Sequence, residues 1–352
     1  MTIAAPPGRV ALLVGGGPAP GINGVISAVT IEAVEQGYEV LGFRDGFKWL
    51  VEGDTDHYRK LAIDDVKSIA LRGGSILGTS RTNPLGRDDG PDRIRETLAG
   101  LHLDGLIAIG GEDTLGAAAR LHSDHGLPVL GVPKTIDNDL GGTDVTFGFD
   151  TAVQVATDAI DRLHTTAESH NRVMVVEVMG RNAGWIALHS GLAGGADVIL
   201  IPERPFDIDE VCRLISRRHA RGRYFSIVVA AEGAAPRDDT MEVPESQADE
   251  FGHVRLGGIG LRLEREIEQR TGYETRATVL GHVQRGGTPT AFDRVLATRL
   301  GIAAIDAAHE SRWGTMPALH GNKIELVPLG EAVAELRTVP TDEYEVAEVF
   351  FG

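Results

Sequence analysis

Short, almost continuous apolar runs alternate with segments of helical periodicity along most of the chain. VALLV (10–14) and GLIAIG (105–110) each precede a Gly-rich loop and a helical segment. A strand that is apolar on both faces is typical of a parallel sheet covered by helices. The pattern therefore predicts an α/β fold of βαβ units. The same signal predicts further strands at 128–133, 172–180, 197–202, 224–233 and 275–282.

The longest helical signal covers residues 150–169, with an apolar stripe on one face and Asp150 as the expected N-cap. The full length of 352 residues suits two domains of about 150 residues each, and this helix is expected to join them. Residues 234–252 are polar and acidic and contain two prolines, which predicts an excursion on the surface.

Composition narrows the range of partners and compartments. The formal net charge of −17 repels polyanions at long range, which disfavours nucleic acid. A lone cysteine, Cys212, indicates a reducing compartment. No apolar run approaches the roughly 20 residues of a membrane span, so we expect a cytoplasmic protein that binds neither nucleic acid nor membranes.

Gly-rich or charged loops follow several predicted strands, at 15–21, 110–116, 179–184 and 281–287. Ligands of open α/β sheets bind at the carboxyl ends of the strands. The first loop opens a helix whose N–H groups could bind phosphate, although glycine there could simply allow a turn. In the second loop, Glu112 and Asp113 could hold Mg²⁺ or could cap the helix.

The segment PKTIDND combines one lysine with two carboxylates after a strand. Lys134 could neutralise phosphate charge, while Asp137 and Asp139 could accept a proton and hold metal. An Asx turn is the competing interpretation.

Several arginines also lie at strand ends or in these loops. Guanidinium groups suit bidentate phosphate recognition, and five in corresponding places favour two phosphate sites over surface ion pairs. His282 could bind an anion or could be an ordinary loop histidine. The five arginines are Arg81, Arg172, Arg181, Arg276 and Arg285.

Five motifs occur in the order seen in phosphofructokinases: GGEDT, PKTIDNDL, the run from ESHNRVMVVEVMGR to NAGW, AEG, and TRATVLGHVQRGG. The chain closely resembles that family from about Val10 to about Leu300. The resemblance implies two Rossmann-like lobes with mainly parallel sheets and the active site in the cleft between them. A donor lobe of 1–148 with 284–330 and a sugar-phosphate lobe of 149–283 with 331–352 are expected.

The resemblance also implies roles for individual residues. Asp137 would be the general base, Thr135 and Lys134 would act on the transferring group, and Arg181 would stabilise its charge, with Glu112 binding Mg²⁺. The donor would contact Gly16, Gly17, Arg81, Gly111, Asp113 and Lys134. The sugar phosphate would contact Thr135, Asp137, Asp139, Arg172, Met179, Gly180, Arg181, Glu232, Arg276, His282 and Arg285.

In the family, the arginines that match Arg172 and Arg276 come from a neighbouring subunit. The resemblance therefore implies a homodimer or homotetramer.

The expected substrates are fructose 6-phosphate and pyrophosphate. ATP-dependent members usually read GGDGS and PGTIDND, whereas Asp113 and Lys134 stand here in place of the small residues. In the family this pair marks pyrophosphate use, and the tail TVPTDEYEVAEVFFG resembles the pyrophosphate-dependent or mixed-donor bacterial branch. The implied reaction is a reversible step of glycolysis and gluconeogenesis.

Two departures from the family pattern concern the donor loop and regulation. Pro18 replaces an aspartate of the phosphate loop, and Ser27 and Ile31 replace the effector-binding arginines of allosteric members.

The alternative functions are those of an ATP-dependent phosphofructokinase, a NAD or lipid kinase, and a non-catalytic subunit. The PKTIDND and GHVQRGG motifs argue against the NAD or lipid kinase. The joint retention of Asp137, Asp139, Arg181 and Glu112 argues against the non-catalytic subunit.

Overall fold

The structure of the chain, a computed structural model, describes residues 8–237, 241 and 258–352. The strands described are β1 (Arg9–Val14), β2 (Glu39–Phe43), β3 (Tyr58–Leu61), β4 (Gly105–Gly110), β5 (Val129–Pro133), β6 (Val173–Val178), β7 (Val198–Leu200), β8 (Ser226–Ala231), β9 (Thr275–Val279), β10 (Thr315–His320) and β11 (Lys323–Pro328).

The helices alternate with these strands. They are α1 (Ile22–Glu35), α2 (Lys48–Glu52), α3 (Ile63–Val66), α4 (Gly90–Gly100), α5 (Glu112–Ser123), α6 (Phe149–His170), α7 (Trp185–Ala193), α8 (Ile208–Ala220), α9 (Ile259–Thr271), α10 (Ala291–His309), α11 (Leu329–Ala332) and α12 (Thr341–Glu348), with 3-10 turns at Ile69–Leu71 and Gly281–Arg285.

Contacts divide the chain into two units. Unit one comprises residues 1–136, 140–151 and 285–336, and unit two comprises 137–139, 152–284 and 337–352. The expected lobes differ from these units chiefly at residues 137–139 and 331–336. Residues 137–139 group with unit two, where the Arg337 N–H donates to the Asp139 carbonyl at 2.9 Å.

Unit one contains a five-stranded sheet of order β3-β2-β1-β4-β5, parallel except for β3, which runs antiparallel to β2. Apart from Arg9, strands β1 and β4 are apolar and buried, as is typical of parallel strands covered on both faces. On one face Ala11 and Leu13 share a core with Leu106 and Ala108. A β10–β11 hairpin belongs to the same unit.

Unit two contains a four-stranded parallel sheet of order β7-β8-β6-β9. Val173 and Val175 of β6 share a core with Val211 of α8 and Leu263 of α9. The central strand β6 has β8 on one side and β9 on the other, so the loops that follow these three strands lie at one edge of the sheet.

The predicted α/β class with mainly parallel sheets is confirmed, and each predicted strand overlaps a real one. The prediction that Asp150 is an N-cap is wrong, because α6 begins at Phe149 and Asp150 lies in its first turn. There its carboxylate accepts a hydrogen bond from the Thr290 hydroxyl at 2.5 Å.

Most of the predicted surface excursion at 234–252 lies outside the described residues. Within the described part of the chain, no helix is long and apolar enough to cross a membrane.

Candidate active site

The loops after β1 and β4 lie side by side in unit one. Val14 pairs with Ile109 at the ends of these strands, and the Gly15 N–H donates to the Ile109 carbonyl at 2.9 Å. The sheet order reverses here, since β2 lies beyond β1 and β5 beyond β4. Ligands of open α/β sheets bind at such a switch point.

The Gly15–Gly17 loop is fixed by the segment that carries Arg81. The Gly16 N–H donates to the Ser80 carbonyl at 2.8 Å, and the Thr79 hydroxyl donates to the Gly16 carbonyl at 2.6 Å. Gly16 has φ +80°, which favours glycine. The exposed Arg81 directly follows Ser80 and is therefore held next to this loop.

Lys134 lies almost completely buried against the same loop. Only 3% of the residue is exposed, and Nζ donates to the Gly17 carbonyl at 2.7 Å. Its own N–H donates to the Gly110 carbonyl at 2.8 Å. A cationic group thus lies among backbone groups that could face an anion. Thr135, the next residue, is also buried.

Helix α5 presents its N-terminus at the end of β4. Gly111 occupies the N-cap position without a side-chain cap, and Glu112 and Asp113 lie in the first turn. Neither acid is the N-cap, although both interact favourably with the helix dipole. Asp113 is exposed and Glu112 is partly buried.

Arg285 belongs to unit one, within the segment 284–330 that was expected in the donor lobe, and its predicted contact is with the sugar phosphate. A Cβ built on Gly17 would lie 3.2 Å from Arg285 Nη1, so the guanidinium lies beside the Gly15–Gly17 loop.

In unit two the loops after β6 and β8 close on each other. The Gly233 N–H donates to the Gly180 carbonyl at 3.0 Å, and the Glu232 N–H donates to the Val178 carbonyl at 2.8 Å. Gly180 has φ +136°, and a Cβ there would lie 2.6 Å from the Ala183 carbonyl oxygen. These contacts bring Met179, Gly180, Arg181 and Glu232 together.

The Glu232 carboxyl has a raised pKa. Burial is the main cause, and the negative charges of Asp137 and Glu177 add to it, while a hydrogen bond from the Gly180 N–H and the charge of Arg181 oppose it. These influences indicate that Asp137 and Arg181 lie close enough to Glu232 to affect the charge on its carboxyl.

The turn after β9 is tied to the loop after β6 by Gln284, which is completely buried. Its Oε1 accepts from the Met179 N–H at 3.3 Å, and its Nε2 donates to the Gly281 carbonyl at 3.1 Å. The exposed His282 belongs to this turn.

Arg172 and Arg276 lie away from these loops. Both bind the Glu274 carboxylate, at 2.7 Å and 2.6 Å. Arg172 precedes β6 and Arg276 is the second residue of β9, whereas Arg181 follows the far end of β6. A six-residue strand spans roughly 17–20 Å, so Arg172 and Arg181 of one chain are at opposite ends of the sheet.

Sequence reasoning missed several residues that hold the predicted ones in place. Thr79 and Ser80 support the Gly15–Gly17 loop, and Gln284 supports the turn after β9. Two of these residues could have been found from their position in the sequence, because Ser80 directly precedes Arg81 and Gln284 directly precedes Arg285.

Among the described residues, no group of three or more His, Cys, Asp and Glu side chains could hold a metal by itself. The acids at the start of α5 still fit Mg²⁺, which often uses one or two carboxylates and completes its shell with water and substrate phosphate.

Comparisons with known proteins agree with this geometry. The family profile Phosphofructokinase matches residues 9–308. The pyrophosphate–fructose 6-phosphate 1-phosphotransferase of Streptomyces coelicolor is 59% identical over 98% of this chain and 100% of its own length. ATP-dependent 6-phosphofructokinase 3 of the same organism is 56% identical over 97% of this chain and 99% of its own.

The crystal structure of Pichia pastoris phosphofructokinase in the T-state superposes with a TM-score of 0.83 at 32% identity. The match covers 99% of this chain and 39% of the Pichia chain, so the present chain spans well under half of that relative's length. The family profile over residues 9–308 and the 59% identical full-length relative show that the chain belongs to the phosphofructokinase family.

Proposed function

We propose that this chain transfers a phosphoryl group from pyrophosphate to the 1-hydroxyl of fructose 6-phosphate, giving fructose 1,6-bisphosphate and phosphate in a reversible reaction. The observation that carries the donor assignment is the buried Lys134 ammonium, 2.7 Å from the Gly17 carbonyl. The relative named as a pyrophosphate enzyme, at 59% identity, supports the same assignment.

Lys134 and Asp113 favour a compact donor. A buried ammonium beside the Gly16–Gly17 turn offsets the dense charge of pyrophosphate. A nucleotide donor would have to place its α-phosphate and nucleoside beside the Asp113 carboxylate, and this carboxylate repels the α-phosphate. Gly111 and the N-terminus of α5 offer further N–H groups to the donor, and Arg81 and Arg285 supply positive charge near this loop.

Asp137 is the proposed base. It accepts the proton of the sugar 1-hydroxyl as that oxygen bonds to phosphorus and the bond to the leaving phosphate breaks. Thr135 contacts the transferring group, Asp139 supports the base, and the Arg181 guanidinium stabilises the charge on the transferring oxygens. Lys134 and Asp137 are three residues apart, so chain connectivity keeps their Cα atoms within about 11 Å.

Glu232 is proposed to bind the sugar hydroxyls, together with the loop Met179–Arg181 and His282. Its raised pKa follows mainly from burial, and a hydroxyl donor would relieve part of that desolvation. Gln284 aligns the two loops that face the sugar.

Mg²⁺ is proposed to be held by Glu112. Bound there, it would offset phosphate charge and orient the donor. The residues of the chain carry the proton transfer and the recognition of the sugar.

The proposed assembly is a homodimer or homotetramer. Arg172 and Arg276 lie at the opposite end of the unit-two sheet from Arg181, which favours their use in the site of a neighbouring subunit. We place the reaction in the cytoplasm, in glycolysis and gluconeogenesis.

Assays with each donor test the proposal. Purified protein with Mg²⁺ and fructose 6-phosphate is expected to turn over with pyrophosphate at a kcat/KM at least tenfold above that with ATP. Exclusive use of ATP would establish the second candidate, an ATP-dependent 6-phosphofructokinase, which the 56% identical relative of that name favours. Sugar phosphate binding without turnover by either donor would indicate a non-catalytic subunit.

A further inference from the structure

The segment that begins at Arg337 is bonded to the loop of the proposed base. In unit two the Arg337 N–H donates to the Asp139 carbonyl at 2.9 Å. Its Nη1 donates to the Asn138 carbonyl at 3.4 Å. The residues that follow Asp137 are therefore held by both the main chain and the side chain of one residue that lies about 200 positions later.

This loop contains a conformation that needs support. Asn138 has φ +53°, in the left-handed region, which is unfavourable for a residue with a Cβ. Asparagine tolerates this region better than most residues, and Asn138 is 97% buried, since only 3% is exposed. A conformation of this kind persists when surrounding contacts fix it.

Arg337 is itself fixed by an aromatic side chain. Its guanidinium carbon lies 4.1 Å from the centre of the Trp185 ring, and Trp185 is 1% exposed. The indole N–H donates to the Arg337 carbonyl at 2.9 Å. Cation–π contacts are strongest over tryptophan and when they are shielded from water. Trp185 thus contacts Arg337 twice, through its ring with the guanidinium and through its indole N–H with the main-chain carbonyl.

Trp185 in turn has a defined position. It is the first residue of α7, and the preceding Gly184 N–H donates to the Glu203 carboxylate at 3.0 Å. The same carboxylate accepts from the Val339 N–H at 2.8 Å. Glu203 therefore ties the start of α7 to the segment that carries Arg337, and this connection makes the arrangement rigid.

We propose that Arg337, stacked on Trp185, is a positioning residue that sets the orientation of the Asp137 carboxylate. The inference rests on the proposed role of Asp137 as the base. The Arg337 side chain contacts the carbonyl of Asn138, the residue next to the base, so its removal allows the base to rotate. The main-chain bond from residue 337 to the Asp139 carbonyl is kept, and the other groups proposed to bind substrates stay in place. A misplacement of about 1 Å can reduce a rate by about 10²-fold, so the effect belongs in kcat.

The first test is Arg337→Ala, with Arg299→Ala as a matched control. Arg299 also donates to a carbonyl on another segment, that of Asn322, and is not among the proposed site residues. We expect kcat of Arg337→Ala to fall about tenfold or more, with KM for both substrates within threefold of wild type. Arg299→Ala is expected to keep wild-type kcat. A kcat within twofold of wild type for Arg337→Ala would overturn the proposal.

Substitutions that keep part of the contact sharpen this test. Arg337→Lys keeps the charge and loses the planar stacking, so its kcat is expected between those of wild type and Arg337→Ala. Should Arg337→Ala fail to give a cooperative melting transition, Arg337→Lys and Trp185→Phe carry the test. Wild-type kcat in both variants would contradict the proposed role.

A double-variant cycle separates positioning from structural support. Asp137→Asn is expected to reduce kcat by about 10²-fold or more. Adding Arg337→Ala to it is expected to reduce kcat less than twofold further, because the base through which Arg337 acts is already absent. Losses that multiply would overturn the inference. Wild-type activity in Asp137→Asn alone would refute the proposed role of Asp137 as the base, and an inactive wild-type protein would refute the proposed function. Both results are distinguishable from a failure of the inference about Arg337.

Discussion

At the scale of single residues, Lys134 combines burial with charge. A buried ammonium is costly unless hydrogen bonds and charge compensate it, and one partner here is the Gly17 carbonyl. The position beside Gly16 and Gly17 gives a donor with a dense negative charge a nearby cation without any movement of the main chain. This is the physical basis of the donor assignment.

Lys134→Met should therefore affect the donor more than the sugar. The methionine keeps most of the apolar stem and removes the ammonium. We expect kcat/KM for pyrophosphate to fall by about 10²–10³-fold, the usual effect of losing one charge-stabilising contact, with KM for fructose 6-phosphate within threefold. Steady-state kinetics with varied pyrophosphate would measure this.

The control is Lys60→Met, which removes an exposed lysine paired with Glu39 and should leave both kinetic constants unchanged. An unchanged kcat/KM for pyrophosphate in Lys134→Met would show that Lys134 only supports the Gly17 turn.

At the scale of elements, the starts of helices α6 and α10 are joined by Asp293, which is completely buried. Its carboxylate accepts from the Gly148 N–H at 2.9 Å and from the Thr151 N–H at 2.8 Å, and the Thr151 hydroxyl donates to it at 2.5 Å. Burial, the largest influence, raises the pKa of Asp293 to about 6, although the hydrogen bonds oppose it.

A raised carboxyl pKa fixes the sign of the pH dependence. An aspartate in the unfolded chain has a pKa of about 3.9. The folded protein therefore binds more protons than the unfolded chain between about pH 4 and pH 6. The contribution of the protonated Asp293 carboxyl to the free energy of unfolding is fully present below about pH 4. It is lost as the pH rises through about 6. The free energy of unfolding of wild type relative to Asp293→Asn should therefore fall by up to about 3 kcal/mol between pH 4 and pH 7.

Urea unfolding at four pH values across this range measures the difference. Asp158→Asn, which alters an exposed carboxylate on α6, should show no such trend. A difference that grows with pH would mean that the hydrogen bonds dominate and that the pKa of Asp293 is lowered.

Strands of near-continuous apolar sequence, such as β1 and β4, were predictable because double-sided burial leaves a simple pattern. The edge strand β3 and the β10–β11 hairpin were not predicted, since the exposed and buried residues of YRKL and KIELVP give no comparable run. The start of α6 was missed by one residue, because Asp150 bonds to Thr290, which is distant in sequence.

At the scale of the whole molecule, we propose that the site draws on more than one chain. Arg172 and Arg276 converge on Glu274 at the opposite end of the unit-two sheet from Arg181. These arginines lie far from the loop that carries Arg181 in their own chain. Such a position suits a symmetric pair of subunits in which each subunit completes the site of the other.

Mixed oligomers test this arrangement. Asp137→Asn and Arg276→Ala are each expected to be nearly inactive. After unfolding and refolding together, random assortment should give active sites in about a quarter of positions, because one subunit supplies an intact Asp137 and its neighbour an intact Arg276. Activity of the refolded mixture relative to refolded wild type is the measurement. A mixture no more active than the average of its parents would place both residues in one subunit's site.

The order of motifs and the apolar periodicity, taken from the sequence alone, determined the α/β class, the family, and the candidates from Gly16 to Arg285, because backbone burial and loop chemistry are local properties. Tertiary structure decided which candidates meet. It put Arg285 beside Gly17, buried Lys134 against that loop, grouped Asp137 with Glu232 and Arg181, and separated Arg172 from Arg181. It also revealed the supports Thr79, Gln284 and Arg337, whose partners lie 63, 105 and about 200 residues away. Such distant contacts depend on how strands pair and helices pack, which no local pattern encodes.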